Sequence, residues 1–142
     1  MKVGVLSVQG AVSEHLAHLN NCGVEAVAVK NIEALDQVSG LIIPGGESTT
    51  IGKLIEIFGL AESIKARSQA GSLALFGTCA GMVLLASEIS DGLENQPHLG
   101  LMDVTVKRNA FGRQRESFEM EIEFDTFGHL LTGVFIRAPI IE

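Results

Sequence analysis

The chain has 142 residues, a formal net charge of −7 and a hydrophobic content of 46%, which suits one folded domain with an aliphatic core and excludes a disordered chain. Phosphate groups and anionic lipid surfaces both call for clustered Lys and Arg, so the acidic balance excludes nucleic acid and membrane surfaces as expected partners. Two cysteines, Cys22 and Cys79, in a chain without a secretory pattern point to a reducing, cytoplasmic compartment, and no apolar run approaches the ~18 residues of a membrane span.

Residues 3–8 read as a buried first strand rather than a leader peptide, because Gly10, Glu14 and His15 soon interrupt the apolar run. Residues 13–22 read as a helix with Leu16 and Leu19 on its apolar face and Gly23 just past its end. A Val-rich strand at 25–29, a short helix at 32–38 and a strand at 41–43 follow, the last stopped by Pro44, Gly45 and Gly46. Ser48 or Thr49 is placed to cap the next helix, which carries Ile51, Leu54, Ile55 and Phe58 at helical spacing. A further helix runs to about residue 69, then a strand at 73–76 and a helix at 80–89. This alternation predicts an α/β fold of three layers, a mostly parallel, flavodoxin-like sheet flanked by helices on both faces. After Asp91 the pattern changes, and residues 101–106, 118–124 and 132–136 read as additional, antiparallel strands with little helix between them. Phe118, Met120, Ile122 and Phe124 alternate with Glu119, Glu121 and Glu123, as in a half-exposed antiparallel strand. No linker or repeat divides residues 1–142, so one domain is expected.

The sharpest chemical feature is Gly77-Thr78-Cys79-Ala80-Gly81, set between a predicted strand and a predicted helix. It has the Gly-x-nucleophile-x-Gly form of a nucleophile elbow with Cys in place of Ser. A tight strand-to-helix turn strains the nucleophile's backbone, and bulky neighbours would clash. The turn puts sulfur at the carboxyl end of the sheet, where open α/β sheets bind ligands. Helix N-terminal amides favour a thiolate over a thiol, and the Ala80 amide is placed to donate to an oxyanion. A second turn, Pro44-Gly45-Gly46-Glu47-Ser48-Thr49-Thr50, also follows a strand. Its glycines let backbone amides face a ligand, which makes Gly46 the second candidate for an oxyanion hole. It is no Walker loop, because the Gly-Lys-Ser/Thr ending is missing. His15, His18 and Cys22 are spaced to share one helix face as metal ligands, but the plainer reading is two surface histidines and a buried cysteine. His98 and His129 read as surface histidines in loops.

Together with Val8-Gln9-Gly10-Ala11, Glu14-His15, Arg108-Asn109-Ala110-Phe111-Gly112-Arg113-Gln114 and Phe135-Ile136-Arg137-Ala138-Pro139, these motifs resemble the class I glutamine amidotransferases, and among them the glutaminase subunits of pyridoxal 5′-phosphate synthase. The resemblance spans residues 3–139. It implies hydrolysis of L-glutamine to L-glutamate and ammonia through a Cys thioester. The ammonia would pass to a separate barrel-shaped synthase subunit that builds pyridoxal 5′-phosphate, in a hetero-oligomeric complex. It implies no metal and no organic cofactor, pyridoxal phosphate being the assembly's product. Carried over by motif, Cys79 is the nucleophile, with the Gly46 and Ala80 amides as oxyanion hole. Gly46, Glu47, Ser48, Arg108, Ile136 and Arg137 hold glutamine, and the Gln9-Gly10 loop lies near the active site and the synthase interface. Arg108 also has a fork of donors suited to a carboxylate in its own right.

The family pattern ends in a His-Pro-Glu type motif that supplies the general base and the carboxylate orienting it, and no such motif occurs between Met1 and Glu142. Two expectations follow: a chain lacking its last part, itself inactive or impaired and with sheet and apolar surface left uncovered, or a short inactive relative that keeps the synthase contacts. A third reading is another elbow-cysteine protein, such as a peptidase or a DJ-1-like stress protein, against which the stretches around Arg108 and Ile136 argue.

Overall fold

The computed structural model describes residues 1–93, 95–124 and 128–142, with the backbone alone at Gln114, Phe124 and His129. β1 (Lys2–Leu6) pairs in parallel with β2 (Glu25–Val29) on one side and β3 (Gly40–Ile43) on the other, and β3 pairs in parallel with β4 (Ala74–Gly77). The sheet order is therefore β2-β1-β3-β4. Right-handed crossovers in that order place α1 (Val12–Asn21) on one face and α2 (Ile32–Leu35), α3 (Ser48–Ile57) and α4 (Leu60–Gln69) on the other. The chain reverses its direction of travel at β1 and β3, so the loops leaving their carboxyl ends lie side by side at a topological switch point.

The main core lies between the sheet and α2–α4. Leu41 and Ile43 of β3, Ile51 and Ile55 of α3, and Leu60 and Ile64 of α4 are all fully buried or nearly so. Burying each such side chain contributes about 1.5–3 kcal/mol relative to leaving it in water. On the other face α1 packs on β1 and β2 with Leu16 and Leu19 half-buried. Beyond α1, Val3, Ile42 and Phe76 line an open apolar hollow, and Phe76 is 60% exposed.

α5 (Ala80–Leu85) follows β4, then β5 (Ala86–Ile89), β6 (Met102–Lys107), β7 (Phe118–Phe124), β8 (His129–Phe135) and β9 (Ile140–Ile141). The helix expected over 80–89 is thus half helix and half strand. Residues 80–86 are apolar or glycine and only Ser87 and Glu88 interrupt the run, so its periodicity does not separate the two states. Pairing of Ala86, Glu88 and Ile89 with β6 decides it. That pairing is parallel, whereas β6–β9 and β7–β8 are antiparallel, as expected for this region. Val83, Ala86 and Val106 form a second small core where α5 meets β5 and β6.

In β7–β8, Phe118 faces Phe135, Met120 faces Gly133 and Ile122 faces Leu131, while Glu119 and Glu121 face Val134 and Thr132 on the other side. The alternation is real, but Met120 is 50% exposed, so the apolar side is only partly covered. His129 opens β8 rather than lying in a loop.

The α5 turn tolerates no side chain at either glycine. A Cβ at Gly81 would lie 2.0 Å from the Ile43 carbonyl oxygen, and one at Gly77 would lie 2.5 Å from the Gly81 carbonyl carbon. Neither obstacle is a flexible side chain. Gly81→Ala is therefore expected to lower stability by about 1–3 kcal/mol, the usual cost of overpacking, in urea melts. A loss within 0.5 kcal/mol, about the size of an ordinary surface substitution, would mean that α5 does not approach β3 this closely.

Candidate active site

Cys79 has φ 50° and ψ −105°, a left-handed backbone that a non-glycine residue adopts only under constraint. The constraint is visible: β4 feeds directly into the turn, the Thr78 amide donates to the Ile43 carbonyl at 3.1 Å, and the Gly81 amide donates to the Thr78 carbonyl at 2.9 Å. The cysteine side chain is exposed. Ala80 opens α5, where an amide has no acceptor within its own helix.

Three chain segments are locked together beside this turn. Thr78 Oγ1 accepts the Gly45 amide at 3.0 Å and contacts His15 Nε2, also at 3.0 Å. The first bond uses an oxygen lone pair and leaves the hydroxyl hydrogen for His15 as acceptor. Partial burial, and next the charge of His18, push the His15 pKa down against the opposing pull of Glu14, which favours the neutral ring that accepting requires. His15 is thus a half-buried partner of the cysteine turn, not a surface histidine. Cys22 is exposed rather than buried, and among the described residues no cluster of His, Cys, Asp and Glu could hold a metal.

The Gln9-Gly10 loop backs the Gly45-Gly46 turn. The Ala11 amide donates to the Gly45 carbonyl at 2.9 Å, and the Glu47 amide donates to Gln9 Oε1 at 3.0 Å. At Gly10, φ is +110° and a Cβ would lie 2.2 Å from the Gly45 oxygen, so the two loops meet backbone to backbone. Gly45 in turn is close enough to Cys79 that a Cβ on it would lie 3.4 Å from the cysteine Cβ.

The cap of α3 is neither Ser48 nor Thr49. It is Glu47, whose carboxylate accepts from the Thr49 amide at 3.2 Å, the Thr50 amide at 2.7 Å and the Thr50 hydroxyl at 2.8 Å. Desolvation raises its pKa, but the bonds from Thr50 and Thr49 outweigh this and hold the carboxyl below its ordinary value. Ser48, the first helical residue, is buried and receives a bond from Gln96 Nε2 at 3.3 Å.

A cavity of about 220 Å³ opens over the cysteine. Gly46, Glu47 and Ser48 line one wall, Cys79, Ala80 and Val83 the floor, Arg108 and Asn109 a second wall, and Ile136, Arg137 and Pro139 the rim. The structure brings Cys79, Ala80, Gly46, Glu47, Ser48, Arg108, Ile136 and Arg137 into this one space, while Gln9 and Gly10 stand behind the Gly45-Gly46 turn. Arg108 Nη2 lies 3.4 Å from Glu47 Oε1 and Nη1 donates to Gln96 Oε1 at 2.8 Å, while its backbone amide donates to Asp91 Oδ1 at 2.7 Å. Arg137 has φ 47°, a second strained non-glycine backbone, again at the cavity. Phe111 joins the Arg108 loop to the hairpin, with ring centroids 5.6 Å from Phe118 and 5.2 Å from Phe135. Sequence reasoning missed Gln96 and the Thr78 hydroxyl. The nearest sequence signal for either is Glu14-His15, whose partner lies 63 positions away.

A family model for the SNO glutamine amidotransferase family matches residues 5–142. The chain is 54% identical over 141 residues to the pyridoxal 5′-phosphate synthase subunit PdxT of Geobacillus sp. (strain WCH70), covering 99% of this chain and 72% of that one. It is 55% identical to the subunit of the same name from Rhodococcus opacus (strain B4), covering 99% and 69%. A solved structure, described as a crystal structure of glutamine amidotransferase, superposes with a TM-score of 0.92 at 50% identity, covering 99% of this chain and 74% of that one. The fold is that of a glutamine amidotransferase, and the chain belongs to the SNO glutamine amidotransferase family.

The cap at Glu47 sets a pH dependence. A carboxyl held below its unfolded value near 4.3 contributes stability that is fully present above that value and is lost as pH falls through the folded value. Glu47→Ala is expected to cost about 1 kcal/mol at pH 7 and clearly less at pH 3, in denaturant melts at both pH values. An equal loss at both would show that the carboxylate charge does not matter to the cap.

Proposed function

We propose that the chain hydrolyses L-glutamine to L-glutamate and ammonia through a thioester on Cys79, and that the ammonia is used by a barrel-shaped synthase subunit to make pyridoxal 5′-phosphate. The observation that carries the chemistry is the placing of a strained, exposed cysteine and the Arg108 guanidinium in one cavity. The relatives named as synthase subunits support the destination of the ammonia. The reading takes residues 1–142 as one amidotransferase domain working in the cytoplasm. Among the described residues no helix is long and apolar enough to cross a membrane.

The proposed steps draw on this geometry. The α-carboxylate of glutamine meets the Arg108 fork, and its ammonium meets Glu47 beside it. The side-chain amide then reaches toward the floor. Thiolate attack forms a carbon–sulfur bond at the amide carbon and pushes charge onto its oxygen. The Ala80 and Gly46 amides are the proposed donors there, where removing one donor costs roughly 10²–10³ in rate. The carbon–nitrogen bond breaks and ammonia leaves with the equivalent of the proton that the thiol gave up on forming thiolate, and water then cleaves the thioester, its hydroxyl going to glutamate and its proton to sulfur. Ser48 supports the wall beside the substrate, and Ile136 and Arg137 close the rim. Proton transfer to the leaving amine is worth roughly 10²–10⁴ in rate, and residues 1–142 hold no His-x-Glu motif for it.

Alkylation by 6-diazo-5-oxo-L-norleucine, a glutamine mimic with an electrophilic side chain, tests nucleophile and pocket together. We expect saturable, glutamine-protected labelling of Cys79, none of Cys22, and none in Cys79→Ala. Labelling of both cysteines without protection by glutamine would contradict the reading. Glutamate release from glutamine, with and without the synthase subunit, separates turnover from binding alone.

A further inference from the structure

Ser48 and Gln96 are the two buried polar or charged residues among those described, and they bond to each other. Gln96 sits between β5 and β6, is 8% exposed and does not line the cavity. Its Nε2 donates to Ser48 Oγ at 3.3 Å, and its Oε1 accepts from Arg108 Nη1 at 2.8 Å and from the Leu93 amide at 3.4 Å. A primary amide out of water must find such partners or destabilise the fold by about 1–3 kcal/mol. Packing alone would be served by an apolar side chain. Here both side-chain partners, Ser48 and Arg108, line the cavity.

The choice of a neutral acceptor matters. Glu47 Oε1 lies 3.4 Å from Nη2 and Gln96 Oε1 holds Nη1, so the guanidinium plane is fixed from two sides. Glu47 brings one negative charge to Arg108. A second carboxylate in place of Gln96 would neutralise the cation that a substrate carboxylate needs, whereas the amide fixes orientation without adding charge.

We propose that Gln96 is a positioning residue that sets the affinity of the site for an α-carboxylate ligand by holding Arg108 in one orientation with its charge available. The proposal rests on the glutaminase reading of the cavity. It is tested on the full chain by the concentration dependence of Cys79 labelling with 6-diazo-5-oxo-L-norleucine, with iodoacetamide labelling of Cys79 as a measure of thiol reactivity and fold. Gln96→Glu keeps size and an acceptor for Arg108. It is expected to raise the half-saturating concentration about tenfold, the size of losing one hydrogen bond to a charged group. The maximal labelling rate and the iodoacetamide rate should stay within about twofold, about 0.4 kcal/mol. Gln96→Asn should restore part of the affinity, and Gln96→Glu should add nothing in an Arg108→Gln background. An unchanged half-saturating concentration in Gln96→Glu would overturn the proposal while leaving the glutaminase reading intact. So would equal losses in both labelling reactions, which mark a merely structural role. Absence of saturable labelling in the unaltered chain would overturn both.

Discussion

The site depends on one close approach: Gly81 of α5 lies against the Ile43 carbonyl at the end of β3, with no room for a methyl group between them. That contact sets α5 directly on the carboxyl end of the sheet. It forces Cys79 into its left-handed turn and brings Thr78 within reach of both Gly45 and His15. The same logic runs through the Gly10–Gly45 contact, where two loops from neighbouring strands touch backbone to backbone. Glycine is used here for proximity more than for flexibility. The strain at Cys79 is stored by packing that has few alternatives.

Charge is arranged as economically as space. The chain carries a net charge of −7, yet the cavity is lined by two arginines, Arg108 and Arg137, and one carboxylate, Glu47, which pairs with Arg108. Their separation of 3.4 Å and the partial exposure of Glu47 make them a weak ion pair in the free protein. A zwitterionic amino acid can exchange with such a pair, its carboxylate taking Arg108 and its ammonium taking Glu47. Glu47 also caps α3, so the helix and the binding wall share one side chain. Phe111 couples the Arg108 loop to β7–β8, and through β8 to Ile136 and Arg137. The C-terminal strands therefore act as the frame of the second wall rather than as decoration on the sheet.

Much of this was legible in the sequence because its causes are local. A short apolar run followed by small residues at fixed spacing dictates strand, turn and helix at Cys79, and the same holds at Pro44-Gly45-Gly46. The parallel sheet followed from strand and helix alternation, and the Arg108 and Ile136 stretches carried the resemblance that the family match bears out. What was not legible depends on partners far away in the chain. Residues 86–89 read as the end of the helix that starts at Ala80 and become a strand because β6 lies beside them. Ser48 and Thr49 look like caps, but Glu47 has the backbone and reach to take that place. Gln96 stands in an unremarkable polar stretch, and only the fold brings it between Ser48 and Arg108, 48 and 12 positions away.

The central claim is that Cys79 and Arg108 address the two ends of one glutamine molecule. It is tested most directly by a crystal structure of the Cys79→Ala chain with L-glutamine bound. The account predicts the side-chain amide over residue 79, its oxygen toward the Ala80 and Gly46 amides, and the α-carboxylate on Arg108. Glutamine bound in the opposite sense, or with its carboxylate away from Arg108, would contradict it.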